Sequence, residues 1–401
     1  MMAIVFIAVA AGAGFAQDAC EDYDGQAALY EKFNKAYSSK DINVKKTSID
    51  IGKQFLEKYG SCPSAEDTAN WLKTNLPLIE RSNQEIFDRE WLKVRFAKFD
   101  NGVNTQKYAD AYSAGAEILT KQPDNLNIIV PLGAIGLYES RNKNDVYNAD
   151  TLRYAKMAID KINSGVTSDK YGVFQFQYDT KENALSEMNY SIAFLTYNTN
   201  KKEGVEGFYK VSQMPGKNKT NPVIFEAIGA YYFDEVATIA DKVKSLIAEQ
   251  QALTSVEEKE AKDKTIKETI ALLNAYAERS MDAYGRARAL VTKSDADSMK
   301  YKDSLTGKIK TLYKVRFEKE DGMDNYIASA IKKPMPDPAQ PVQPVVEAEK
   351  PVEATGSAVS DDSTTPKTAP AAKPKAASET AKAANAAATE SKTAKKPKKR
   401  K

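Results

Sequence analysis

The sequence predicts an all-α fold, and three observations carry the expectation. Apolar residues recur at helical spacing almost without interruption across residues 26–331. The gaps between these stretches are short and marked by Gly, Asn, Asp or Pro. One spacing also occurs twice, as Phe225, Ile228, Gly229 and Tyr232 and again in part as Ile129, Leu132 and Gly133. Helix pairs of this length, joined by tight turns, are what a solenoid of helix hairpins requires.

Taken in order, residues 26–38 and 44–59 form a first hairpin. A helix over 65–75 follows, and Pro77 is expected to break or kink it. Helices over 84–99 and 106–121 flank an expected turn at Asp100-Asn101-Gly102. Residues 127–139 pair with 149–162, and 182–197 with 204–213. A helix over 223–232 leads into one over 235–251. Residues 256–291 are long and rich in Lys and Glu, which fits one long helix or an exposed hairpin arm. Helices over 295–317 and 323–331 end the fold. One stretch breaks the rhythm: in 170–178, Phe174, Phe176 and Tyr178 alternate with Gln175 and Gln177, the period of a strand. It reads either as an aromatic plug over adjacent helices or as an inserted binding loop.

Phe225, Ile228 and Tyr232 fall at i, i+3 and i+7 and share one helix face. Gly229 lies in the same stripe. A glycine inside a helix costs roughly 1 kcal/mol against alanine, and close approach of a partner helix would offset that. An ordinary amphipathic helix with a tolerated glycine is the plain alternative. Pro222 stands just before this stretch, and in the second copy Gly136 stands where tyrosine is expected. Ala111, Gly115 and Pro123 precede that copy; Val205, Phe208, Tyr209 and Pro215 make a third trace. These spacings resemble the tetratricopeptide repeat over 108–138 and 205–248, and elsewhere the chain is only helical. The whole chain is also similar to bacterial secreted proteins of this architecture. The resemblance implies a scaffold that binds protein or peptide on its concave face, an argument from fold analogy. It implies no activity, cofactor or metal site.

Residues 3–15 are apolar and rich in small residues, and Gly14 and Ala16 suit cleavage after Ala16. Residues 1–16 therefore read as an export signal, although the start carries no Lys or Arg. The stretch is too short for a span of about 20 residues, so no membrane span is expected in the mature chain. The expected location is periplasmic or secreted. Cys20 and Cys62 fit export as a disulfide that pins the N-terminus to the first turn. Lipidation of Cys20 and free thiols are the alternatives, and Gln17-Asp18-Ala19 argues against lipidation. The helical body is expected over 17–332. From 333 to 401 a Pro-, Ala- and Lys-rich tail without aromatic residues is expected to be disordered.

The chain contains no histidine, which removes serine–histidine and cysteine–histidine catalysis and histidine-based zinc sites. No catalytic, cofactor or metal constellation stands out. Gly12, Gly14 and Ala16 match a dinucleotide-binding fingerprint but lie inside the signal, without its strand and helix. Asp22, Asp24, Gly25 and Glu31 fall at calcium-loop positions, but Cys20 stands where the first carboxylate is needed. Capping of the first helix by Asp24 is the competing reading. Residues 367–401 hold ten Lys and one Arg against Glu379 and Glu390, while the whole chain is only +3, so the body is net acidic. Such a tail suits an anionic envelope polymer or lipid rather than sequence-specific nucleic acid, or serves solubility alone. The leading expectation is a non-catalytic exported scaffold for a protein or peptide. The runner-up is an envelope-associated protein held by its basic tail, and a carboxylate-based enzyme is a distant third.

Overall fold

A computed structural model describes residues 19–345 and confirms the all-α expectation. The expected signal (1–16) and the basic stretch of the tail (367–401) lie outside the described residues. The chain forms two compact units, one ending at Pro123 and one beginning at Asp124. No helix among the described residues is long and apolar enough to cross a membrane.

The first unit holds α1 (Tyr23–Tyr37), α2 (Ile42–Tyr59), α3 (Glu66–Asn104) and α4 (Tyr108–Lys121). Helices α1, α2 and the start of α3 bury Phe33, Phe55, Tyr59 and Leu72 in one cluster. Cys20 and Cys62 are bridged, with Cα atoms 5.1 Å apart, and Cys62 is buried in that cluster. The disulfide is reinforced by polar contacts. The Tyr59 hydroxyl donates to Asp22 at 2.7 Å, Lys58 donates to the same oxygen at 3.0 Å, and the Gly25 N–H donates to the other at 2.9 Å. The cap of α1 is thus Asp22, not Asp24 as the sequence led us to expect. Sequence spacing favoured the residue nearer the first apolar position, whereas Tyr59 and Lys58 recruit Asp22 from another helix.

Two further expectations are corrected here. Of the two outcomes expected at Pro77, a break is excluded: it lies inside α3, which runs on as one helix of 39 residues. Leu72, Leu76 and Ile79 are buried on both sides of the proline, so packing outweighs the one backbone bond it removes. The expected turn at Asp100-Asn101-Gly102 is also helical. The chain turns instead at Gln106, whose φ is +58°.

The second unit holds α5 (Leu126–Arg141), α6 (Asn148–Asn163), α7 (Lys181–Tyr197), α8 (Lys201–Gln213), α9 (Pro222–Ala252), α10 (Val256–Leu290), α11 (Ala296–Phe317) and α12 (Met323–Ala330). Neighbours in sequence pack as pairs, and each pair docks on the next. The helix over 223–232 does not hand over to a second one: α9 is a single helix of 31 residues, and α10, 35 residues long, packs along it. Phe233 and Asp234 contain no helix breaker, and Phe233 is buried. This pair covers about twice the 34 residues of a tetratricopeptide unit, so the repeat spacing holds locally while the helix lengths depart from it.

The stretch 170–178 is held by one antiparallel bridge between Tyr171 and Tyr178, around a 3-10 turn at Phe174–Phe176. Its alternation is therefore not that of an extended strand. Tyr171, Phe176 and Tyr178 are buried as a plug, and Phe176 meets Tyr138 edge-on at 6.3 Å. Phe174 instead points outward from a left-handed backbone, φ +52°. The body does not end at residue 332: the chain stays against α10 as far as Val345, whose N–H donates to the Ala271 carbonyl at 3.1 Å.

Candidate functional site

The residues singled out by spacing are structural. Phe225, Ile228 and Tyr232 are buried in one cluster with α10. A Cβ at Gly229 would lie 2.8 Å from the Tyr284 ring, so the two helices meet where the missing side chain allows it. The Ser280 hydroxyl donates to the Gly229 carbonyl at 2.8 Å and fixes the crossing. In the partial copy, Ile129, Leu132 and Gly133 are equally buried, and a Cβ at Gly133 would lie 2.8 Å from the Met188 sulfur and 2.9 Å from the Ala155 backbone. Gly136, the position that departs from the spacing, admits Thr151. Its N–H donates to the Thr151 hydroxyl at 2.7 Å. Both copies thus serve helix packing, and none of these seven residues is free to meet a ligand.

A different set of side chains forms a surface of the second unit. Tyr190, Phe194 and Tyr197 lie at i, i+4 and i+7 on α7 and share one face; Tyr190 is buried in the core, and Phe194 and Tyr197 are partly exposed beside it. Glu226, Ala230 and Asp234 do the same on α9 at i, i+4 and i+8. Arg141 reaches in from the end of α5. Its guanidinium lies 3.4 Å from the Tyr190 hydroxyl, 5.7 Å from the Tyr190 ring centre and 5.9 Å from that of Phe194. From α11, the Tyr301 hydroxyl donates to one Glu226 oxygen and Lys308 to the other, both at 2.8 Å. Lys308 also stands 5.1 Å from the centre of the Tyr284 ring, and Lys201 pairs with Asp234. A band of tyrosine, carboxylate and cation therefore runs over α5, α7, α9 and α11, with α10 beneath.

Burial and neighbouring carboxylates keep Tyr197 and Tyr301 protonated. Burial pushes the Tyr197 hydroxyl up to about 12, and the Asp234 and Glu226 charges add to it. Tyr301 moves upward from burial first and the Glu226 charge second. At neutral pH both carry their hydrogen, and that of Tyr301 is donated to Glu226. Tyr197 and Tyr301 are partly buried and Arg141 is exposed; tyrosine and arginine are over-represented where interfaces draw their binding energy.

Sequence reasoning missed this band because its members are brought together from four helices. The available signal was weak: the aromatic stripe of α7 and the acidic stripe of α9 each keep helical spacing. No family model, curated protein or solved structure matches this chain.

Proposed function

We propose that the protein is a non-catalytic, exported scaffold that holds a protein or peptide partner on its helical surface. The observation that carries this reading is the partly exposed band of Phe194, Tyr197, Tyr301, Glu226, Asp234 and Arg141 across successive helix pairs, seated on the buried Tyr190. Burial raises the Tyr197 and Tyr301 phenols further from neutrality, which suits recognition rather than proton transfer. Resemblance of the Phe225–Tyr232 spacing to tetratricopeptide repeats supports the same conclusion by analogy. Export is supported by the small apolar residues at 3–15 and by the Cys20–Cys62 bridge, since disulfides persist in oxidising compartments. Crosslinking in the native envelope followed by affinity capture tests the function. A specific partner lost on Glu226→Lys is the expected result; capture indifferent to that change would remove the reading.

A second reading rests on the ten Lys and one Arg of 367–401: an envelope-associated protein tethered by its tail to anionic polymer or lipid. Deleting the tail separates the two. Under the scaffold reading partner capture survives the deletion; under the tether reading envelope association is lost and nothing else is held.

A further inference from the structure

The strap over 333–345 is held in an unusual way. Arg286 donates to the Lys333 carbonyl at 2.6 Å. Arg279 donates to the carbonyls of Asp337 at 3.0 Å and Pro341 at 3.4 Å. These arginines stand seven residues apart on α10, about 10 Å along one face. Both address main-chain carbonyls, the polar group that proline keeps when it loses its N–H. Five prolines, at 334, 336, 338, 341 and 344, punctuate the strap.

The body sets these arginines by itself. Asp282, buried, forks onto Arg286 at 2.9 and 3.0 Å. Arg279 also donates to the Tyr232 hydroxyl at 3.2 Å, and its guanidinium lies 5.8 Å from that ring's centre. The donors are thus aimed by groups outside the strap, which lowers the ordering cost of any chain that docks there. The strap itself is thinly held. Among 334–345 only Met335 and Pro338 are buried. A space of about 410 Å³ remains beside it, lined in part by Glu278, Tyr326, Ser329, Val342 and Gln343.

We propose that this face of α10 and α12 is a docking site for an extended, proline-punctuated peptide of a partner protein, with one apolar side chain in the place of Met335. The chain's own strap is its resident and exchangeable occupant. Weak burial makes the strap displaceable, and preset arginines make the site selective for carbonyls in this register. The proposal does not rest on the tyrosine band, which lies on another face of α9, so either can fail alone.

A tethered strap competes at an effective concentration in the millimolar range, so the test weakens the strap and leaves the site intact. The full chain carrying Met335→Ser and Val342→Ser is titrated with a fluorescent peptide of the sequence of 333–345. We expect binding at least tenfold tighter than to the unsubstituted chain, and loss of that gain on adding Arg279→Ala, with far-ultraviolet circular dichroism unchanged. A strap that only stabilises the fold would give no gain. No gain, or a gain indifferent to Arg279→Ala, overturns the proposal. Self-association of the strap variant in sedimentation, in place of peptide uptake, also overturns it, because the occupant would then be a second copy. If the strap variant does not fold, hydrogen exchange of the unsubstituted chain decides. Saturating peptide must raise exchange at the Val345 amide, and unchanged protection refutes the site.

Discussion

Replacing Gly229 tests the helix crossing that organises the second unit. A methyl group there would meet Cδ1, Cε1 and Cγ of Tyr284 at 2.8–2.9 Å, closer than carbon atoms normally approach. The ring has little room to yield: Tyr284 is 1% exposed, Phe233 stands edge-on at 6.4 Å, and Lys308 lies over it. Overpacking of this kind costs about 1–3 kcal/mol, while Gly to Ala in a helix returns about 1 kcal/mol. We therefore predict that Gly229→Ala destabilises by about 0–2 kcal/mol. Gly229→Leu, whose added carbons have no space to enter, should lose about 3 kcal/mol or more. Gly307 is the internal control: it is helical with nothing within 4 Å of an added Cβ, so Gly307→Ala should gain up to about 1 kcal/mol. The assay is urea denaturation followed by circular dichroism. A smaller side chain at 284 should rescue Gly229→Ala, giving a double-mutant coupling energy of the opposite sign to the single loss. A Gly229→Leu midpoint that stays put or rises refutes the crossing.

Three other outcomes follow from the structure. Cys62→Ser should lower the melting temperature, because the bridge closes a loop of 42 residues, worth roughly 4 kcal/mol in the chain-entropy model; purified protein with two alkylatable thiols would contradict it. Asp22 is held down to about 2, first by the Tyr59 hydroxyl, then by Lys58 and the Gly25 N–H. Its contribution is therefore complete above the ordinary carboxylate range near 4 and is lost as pH falls toward about 2. The melting difference between wild type and Asp22→Asn should shrink across that window, and a constant difference would exclude the linkage. Truncation after Val345, which leaves the strap in place, should abolish salt-sensitive binding to anionic vesicles; undiminished binding would move the basic surface onto the helical body.

The sequence was most legible where one segment decides its own structure. The i, i+3, i+7 stripe of Phe225, Ile228 and Tyr232 with Gly229 inside it announced a close helix crossing, and Tyr284 supplies it. Two cysteines, one of them at the Gly60-Ser61-Cys62-Pro63 turn, announced the bridge. The reading failed where distant residues decide. Nothing local to Pro77 shows that Leu72 and Ile79 are buried on both sides of it, and nothing near Asp22 shows that Tyr59 will find it. The Pro-rich start of the expected tail looked unable to order itself. It is ordered by Arg279 and Arg286, which lie some fifty residues earlier and whose role no composition window reveals. The tyrosine band was hidden for the same reason, since Tyr301 and Glu226 meet only after α9 and α11 have packed.

The central claim, that the tyrosine band is where a partner is held, is tested most directly by site-specific photocrosslinking. A photoreactive phenylalanine analogue would replace Phe194, Tyr197 or Tyr301 in turn, with Val256, 69% exposed at the start of α10, as the control position. The account predicts that all three band positions capture the same partner in the native envelope, that Glu226→Lys abolishes the capture, and that truncation after Val345 leaves it intact. Equal capture from Val256, or capture that disappears with the tail and ignores Glu226, would contradict it.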